Sequence, residues 1–469
     1  MHEVKSSGDP FTDVGAAVLQ RLLTRHPGWQ EKDALRFATD VYVQNWQSKL
    51  HAFFLNSGIT NPANKGKEVE RTLDYYEALL EEDATRAKGW CRVTGRNEPT
   101  FPAGRENQVL AGSGTFLNFN HGLEQGLQVG RSALLGMYFA PLGCIEVGGN
   151  PALVHSSRPE ITALLADNNL KANLRPAGAE VKPGLAKSSR GNAANALFGY
   201  ADEILKEVAR GASKLGEGPA PALTLYNFTN FGAKPDVVLH HLSAMVFSFY
   251  QQVMAYYQEP WAWFVRAHYR SSKFKGARAQ TDTTALFMPG KPNEALTVVE
   301  PATYQAWYNP VYNYLLAGRS LLEMIKKWCR YHRFPFALTT YYCEKLLNMD
   351  QKTLELIAHV ARYVATETDD SAIKRTLTRL STARTGSEVR LLLVGLQRRN
   401  YEHDATEPLL RLDDYVRYLF PDGTSWREIR DLLLISLYEQ LHENNRHVVL
   451  EEGLEEVAAG DDENETDPS

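Results

Sequence analysis

Apolar residues recur at helical spacing in "DVGAAVLQRLL" (Asp13–Leu23) and "EKDALRFATDVYVQNWQSKLHAFF" (Glu31–Phe54), and again in "KEVERTLDYYEALLEEDATRA". The chain therefore opens with helices, interrupted by the Gly, Pro and Asn of "NSGITNPANKG". From Gly89 to about Ser189 the long periods vanish, and short apolar runs such as "LLGMYFAPLG" and "CIEVGG" predict strands and loops. "ALFGYADEILKEVARGAS" returns to helix, "PALTLYNFTNFG" reads as a strand ending in a polar turn, and "DVVLHHLSAMVFSFYQQVMAYY" as a buried helix. Beyond Pro310, short amphipathic segments from "VYNYLLAGRSLLEMIKKWCRYH" to "SWREIRDLLLISLYEQLHEN" follow one another across brief breaks, the pattern of a helical bundle. The expected class is α+β. A mixed, loop-rich domain is expected over 1–345, an all-α bundle over 346–450, and a disordered tail over 451–469.

Charge changes this picture at one end. The chain of 469 residues has a net charge of −5, but residues 451–469 hold nine acids and no Lys or Arg. Without them, 51 basic residues face 47 acidic ones. The tail carries too little apolar surface to order itself and would either solubilise the chain or shield a basic surface. Four cysteines do not make a disulfide framework in so long a chain, and no run of 18 apolar residues occurs, so a cytoplasmic protein without a membrane span is expected.

The motifs that announce common chemistries are missing. No phosphate loop, His-Glu-x-x-His, Gly-x-Ser-x-Gly or dinucleotide fingerprint occurs, and no cofactor or metal is expected. Cys329 and His332 in "WCRYH" share a helical face, yet a structural zinc wants four ligands and no second pair of matching spacing exists. A core cysteine beside a partly exposed histidine is the simpler reading.

Cations carry the positive signal. "WAWFVRAHYRSSKFKGAR" holds Arg266, Arg270, Lys273, Lys275 and Arg278, no acid, and five aromatic rings, which either stack on bases or are buried. A second run holds Lys374, Arg375, Arg379, Arg384, Arg390, Arg398 and Arg399 against one acid, Glu388, and Arg375 and Arg379 lie four apart on one helical face. A third comprises Lys171, Arg175, Lys182, Lys187 and Arg190. Three such patches suit a polyanionic strand. The polar turns "GRENQ" (Asn107, Gln108) and "NFTNFGAK" (Asn227, Asn230, Lys234) have the donors and acceptors that read base edges.

Three stretches resemble one family, the large subunit of type I-B CRISPR Cascade complexes: "SSGDPFTDVGAAVL", with Asp13-x-Gly15-x-Ala17; "LTLYNFTNFGAKPDVVLHHLS"; and "YVRYLFPDGTSWREIRDLLLISLYEQL". Over the second, the resemblance implies a strand, an Asn-rich turn and a second strand. Family members carry a Cys-x-x-Cys-Gly zinc knuckle and a later cysteine pair. Here Cys91 is followed by Thr94, and the later pair is replaced by "GLQVGRSALLGMYFAPLG", so the region of about 89–150 is a degenerate knuckle, held by packing to which Trp90 would contribute. The resemblance implies a scaffold subunit rather than an enzyme. Such a subunit assembles with guide RNA and Cascade backbone subunits, binds target double-stranded DNA at its protospacer-adjacent motif, and guides the displaced strand. It also recruits a helicase-nuclease or, in transposon-associated versions, a transposition adaptor. The C-terminal bundle resembles the small subunit, separate copies of which would arise from an internal start at Met349. Against this stand two other readings: a stand-alone enzyme with an unrecognised site around Cys144, and a structural helical adaptor without DNA contact.

Overall fold

The computed structural model describes residues 6–81, 88–114, 117–118, 123–175, 183–211, 216–229, 236–280, 285–289, 297–403, 407–421, 425–446 and 448; for 117–118, 124–125, 275–280 and 285–289 it describes the backbone alone. The acidic tail lies outside these residues. The fold is α+β. Its principal helices are α1 (Pro10–Arg25), α2 (Glu31–Asp40), α3 (Glu68–Glu81), α4 (Arg131–Phe139), α5 (Pro159–Asn173), α6 (Ala193–Ala209), α7 (Ala244–Tyr256) and α8 (Gln258–Ala267). They continue with α9 (Pro310–Ala317), α10 (Leu322–Cys329), α11 (Phe336–Leu346), α12 (Gln351–Ala365), α13 (Asp370–Thr382), α14 (Gly386–Glu402) and α15 (Trp426–Glu443). Besides a two-residue pair, Leu117–Asn118 with Glu124–Gln125, the strands are β1 (Lys88–Trp90), β2 (Asn97–Ala103), β3 (Leu127–Gly130), β4 (Ile145–Val147), β5 (Asn150–Ser156), β6 (Leu223–Thr229), β7 (Asp236–Leu242), β8 (Phe274–Gln280), β9 (Ala285–Pro289) and β10 (Thr297–Val299).

Contacts divide the chain into two units, Met1–Phe247 with Ala267–Leu316, and Ser248–Arg266 with Ala317–Ser469. The helical unit thus takes in residues 317–345 and an excursion over 248–266, both upstream of the boundary expected at 346.

In the first unit β4-β5-β6-β7 form an antiparallel sheet in which Leu153 faces Tyr226 and Tyr226 faces Leu239. Helix α1 starts at Asp9, whose carboxylate accepts the Thr12 N–H at 2.7 Å, with Pro10 at its first position. Its stripe of Phe11, Val14, Val18 and Leu22 is buried, and Phe11 meets Phe228 of β6 edge-on at 5.0 Å. Gly15 is required where α1 crosses α4, because a Cβ there would collide with the Gly136 carbonyl.

Three elements differ from the sequence expectations. "LLGMYFAPLG" is not a strand but most of α4 and a 3-10 turn; Ala133 to Leu142 are buried on every side, so no amphipathic period marks the helix. Helix α5 lies in the stretch expected to be loops. Residues 236–242 form β7 rather than the start of a helix, with Ser243 separating them from α7, so the strand implied by the resemblance replaces the helix read from periodicity.

In the second unit α15 is the axis. Residues Leu432 to Leu437 are buried around its whole circumference, with α10 and α12 packed on it. Its buried Asp431 is held by Arg430 at 2.8 Å and by Lys326 of α10 at 3.2 Å. Helix α14 begins with a capping box: the Glu388 N–H donates to Thr385 Oγ1 at 3.3 Å while the Glu388 carboxylate accepts the Thr385 N–H at 3.4 Å.

Candidate nucleic-acid interface

Helices α13 and α14 bury Ile373, Leu377 and Leu380, and Val389, Leu392, Leu393 and Leu396, respectively, which turns the intervening arginines to solvent. Arg375 and Arg379 are exposed on one face of α13; Arg379 makes no ion pair among the described residues, and Arg375 donates to the Ser371 carbonyl at 3.3 Å and lies 3.8 Å from the Asp369 carboxylate. Lys374, next to that face, is half-buried. On α14, Arg390 lies over the Phe420 ring with its guanidinium carbon 4.9 Å from the centroid. Arg398 pairs with Glu402 at 2.8 Å, and its side chain is 81% exposed. So open a pair contributes at most about 1 kcal/mol and yields readily to a phosphate. Arg399 instead turns inward to Glu367 at 3.2 Å and joins α14 to the end of α12.

The 261–278 segment is not one basic helix. It runs from α8 through a turn into β8, and it passes from the second unit into the first between Arg266 and Ala267. Trp261, Phe264 and Tyr269 are core residues, 2%, 0% and 3% exposed, so the burial reading holds for these rings. Phe274 is half-buried and stacks on Trp307 at 5.2 Å. Arg270 and Lys273 are exposed and make no ion pair among the described residues, while the Arg270 N–H donates to the Tyr308 carbonyl at 2.9 Å. Arg266 is half-buried on α8. The side chains of Lys275 and Arg278 lie outside the described residues.

Trp263 differs from its neighbours. It is 39% exposed and packs edge-on against Trp328 at 5.5 Å and His332 at 5.1 Å, and His332 in turn stacks on Trp328 at 3.8 Å. Burial, helped by the nearby His442, lowers the His332 pKa, which favours the neutral ring. Tyr331, 65% exposed with Arg330 over its face, and the exposed Arg333 complete an aromatic and cationic cluster at the end of α10. The alternation of rings and cations in "WCRYHRF" is the sequence signal for it, obscured by the Cys329–His332 spacing. Cys329 is buried and His332 half-buried, as the simpler reading of that pair expects.

Of the base-reading candidates, the three that the structure describes turn inward. Asn107 and Gln108 are each 7% exposed. The Asn107 carbonyl accepts the Gly104 N–H at 3.0 Å and its amide donates to the Tyr75 hydroxyl at 2.6 Å, so both ends hold the turn closed. Asn227 is half-buried, donating to the Val147 carbonyl at 2.9 Å to tie β6 to β4. Asn230 and Lys234 lie outside the described residues. Three cations of the third basic cluster are paired with acids: Lys171 with Asp167, one turn back on α5, at 2.8 Å, Lys187 with Glu146 at 3.0 Å and Arg190 with Asp202 at 3.0 Å. Arg175 is exposed, and Lys182 lies outside the described residues.

In the region expected to be a degenerate knuckle, Cys91 is buried in the turn before β2. Its Sγ accepts the Thr94 N–H at 3.4 Å and the Gly130 N–H at 3.2 Å, so "GLQVG" lies against the surviving cysteine. Gly95, at φ +67°, closes the turn. Trp90 is 61% exposed and does not pack there, contrary to expectation.

Two constellations bear on catalysis. Asp13 is buried beneath the sheet and accepts from Ser6 Oγ at 2.5 Å, Ser7 Oγ at 2.7 Å and the Ser7 N–H at 2.7 Å, with His155 Nε2 at 3.0 Å. Burial pushes its carboxyl pKa up, but these hydrogen bonds overcome it and hold the group well below the usual carboxylate range. The carboxylate is the hub and both hydroxyls donate to it, so neither serine is lined up on the imidazole as a nucleophile would be. The thiol of Cys144 is fully buried, donates to the Ala140 carbonyl at 3.2 Å, and is driven by burial well above its ordinary pKa, which removes it as a nucleophile. No family model and no curated protein matches the chain.

Proposed function

We propose that this chain is a nucleic-acid-binding scaffold subunit, the large subunit of a type I-B CRISPR Cascade complex. Arg375, Arg379, Arg390 and Arg398 on α13 and α14 would follow the phosphates of a DNA strand. The Trp263–Tyr331 cluster at the end of α10, with Arg330 and Arg333, would offer rings to unpaired bases. Cations release counterions from the phosphates and rings stack without regard to sequence, so recognition of the target would be left to a guide RNA. Arg270 and Lys273 on the first unit would supply further cations to the phosphates. The observation that carries the reading is the exposed face of Arg375 and Arg379, where Arg379 makes no ion pair among the described residues and Arg375 has only a loose one, with Asp369 at 3.8 Å. The buried Asp13 and the close-crossing Gly15 give physical reasons for the motif on which the family resemblance begins.

A small-subunit product starting at Met349 would begin at the N-cap of α12, where Asp350 accepts the Lys352 N–H at 2.7 Å. It would lack α10 and α11, and with them the Lys326 partner of Asp431 and the Phe336 N–H held by Glu439. Such a product would need another surface over α15.

The test is co-expression with a guide RNA and Cascade backbone subunits, followed by target-DNA binding across a salt series. The assembled complex should bind in a strongly salt-dependent way. Arg375→Glu with Arg379→Glu and Arg390→Glu should weaken binding at least tenfold, and should flatten the salt dependence by about 0.9 for every phosphate left without its cation. Unchanged binding overturns the role of this face; failure to co-purify with RNA or subunits overturns the Cascade assignment.

A further inference from the structure

A pocket of about 250 Å³ opens in the first unit between α3, the turn before it, the 104–108 turn and Tyr138 of α4. Gly58 lets the preceding turn close on Thr72 of α3, where a Cβ would collide with the hydroxyl. A cavity of about 150 Å³ admits benzene, so this larger space admits a flat two-ring base. Its apolar wall is aromatic: Tyr75 meets Tyr76 edge-on at 4.9 Å, and Tyr76 meets Tyr138 at 4.3 Å. Tyr75 is 40% exposed, and its hydroxyl is held by the Asn107 amide. The inward-turned Asn107 therefore does not read a base itself; it fixes a ring on which a base can lie.

The charged lining is one cation and one anion, beside neutral polar side chains that include Asn56, Ser57 and Asn64. Arg71 is exposed on α3 and makes no ion pair among the described residues; the Glu106 side chain, 37% exposed, lies beside Gly104 and Gly114 and, among the described residues, its one ion pair is a loose one with Arg105 at 4.0 Å. A guanidinium donates two parallel hydrogen bonds, and a carboxylate accepts them. Guanine presents the complement, with acceptors O6 and N7 on one edge and N–H donors on the other, and arginine to O6 and N7 is the commonest specific base contact. Flat bases out of a duplex are held by stacking on such aromatic walls.

We propose that this pocket binds a single guanine base, unpaired, between Arg71 and Glu106 against the Tyr75–Tyr76 wall. The assignment goes beyond the scaffold reading and does not require it.

The full chain is titrated calorimetrically with GMP, AMP, CMP and UMP, and then with an oligothymidylate carrying one central guanosine or none. GMP, or the guanosine-bearing strand, should bind at least tenfold more tightly than its counterparts. Binding of GMP identifies a free nucleotide as the source, whereas binding of the strand alone identifies a base within nucleic acid. Arg71→Ala and Tyr75→Ala should each weaken guanine binding about tenfold, and Glu106→Gln should erase the preference over the other bases. All three side chains are at least partly exposed, and unchanged thermal melting verifies the fold; should Tyr75→Ala melt early, Arg71→Ala carries the test. Absence of binding, equal affinity for the four bases, or indifference to Arg71→Ala and Tyr75→Ala overturns the proposal. Arg375→Glu with Arg379→Glu separates the two readings, because it lowers salt-dependent binding of any strand and leaves the preference for GMP intact.

Discussion

The 104–108 turn and the face of α13 and α14 look alike as strings: both are polar, both carry arginine, and both have the side chains that suit nucleic acid. In the folded chain they face opposite ways. The turn has no ladder to satisfy its backbone, so Asn107 is drawn in to accept the Gly104 N–H and donate to Tyr75. Helices satisfy their own main chain and bury one stripe, so the arginines between the stripes stay at the surface. A polar side chain is free for a partner where the backbone can satisfy itself without it. The third basic cluster adds a second condition, because Lys171, Lys187 and Arg190 are claimed by Asp167, Glu146 and Asp202, of which only Asp167 stands within a helical turn of its partner.

Substitutions can break this contrast between inward and outward polar groups. The largest effect is expected at Asp13: Asp13→Ala strips the half-buried His155 and Ser7 and the exposed Ser6 of their shared buried acceptor, and denaturant unfolding should show a loss of about 3–4 kcal/mol. Next comes Glu439, buried on α15, which accepts the Phe336 N–H and whose pKa burial raises to about 7. An acid with a raised folded pKa binds its proton more tightly when folded, so its contribution is present below the unfolded value and is lost as pH climbs through about 7. Between pH 4.5 and 7.5 the chain should lose about 3 kcal/mol relative to a Glu439→Gln variant, which should show a flatter pH profile. Asn107→Ala should cost about 2 kcal/mol in the same unfolding assay, because it leaves a buried N–H without its acceptor. On the outward side, Arg379→Ala and Trp90→Ala should each change stability by no more than about 0.5 kcal/mol. An outward substitution that costs as much as Asn107→Ala would remove the distinction.

Within the fold, the legible elements are those with an uninterrupted period. Helices α1, α3 and α6 and the amphipathic helices of the C-terminal region follow from apolar spacing, and Asp9-Pro10 and Thr385-x-x-Glu388 mark two starts through side chains that reach only three residues. Helix α4 is illegible because burial on every side erases its stripe, and β7 because "DVVLHHL" runs straight into an apolar helix with Ser243 as its single break. For the candidate interface, Arg375 and Arg379 are legible, since helical spacing alone puts them on one face. The Trp263–Trp328–His332 cluster is not, since its rings come from segments more than sixty residues apart. Nor is the Tyr75–Glu106 pocket, built from four separate segments.

By itself, the sequence determined the class, most helix positions, the lone Cys91 where a knuckle would need more, and which segments carry excess cations, because these depend on residue type and on neighbours within a turn or two. Only the tertiary structure decided which cations keep their charge for a partner, which rings face solvent, and that Asn107 supports a pocket instead of reading a groove. Each of those outcomes depends on groups brought together from distant parts of the chain, and proximity through space is what sets burial, ion pairing and hydrogen bonding.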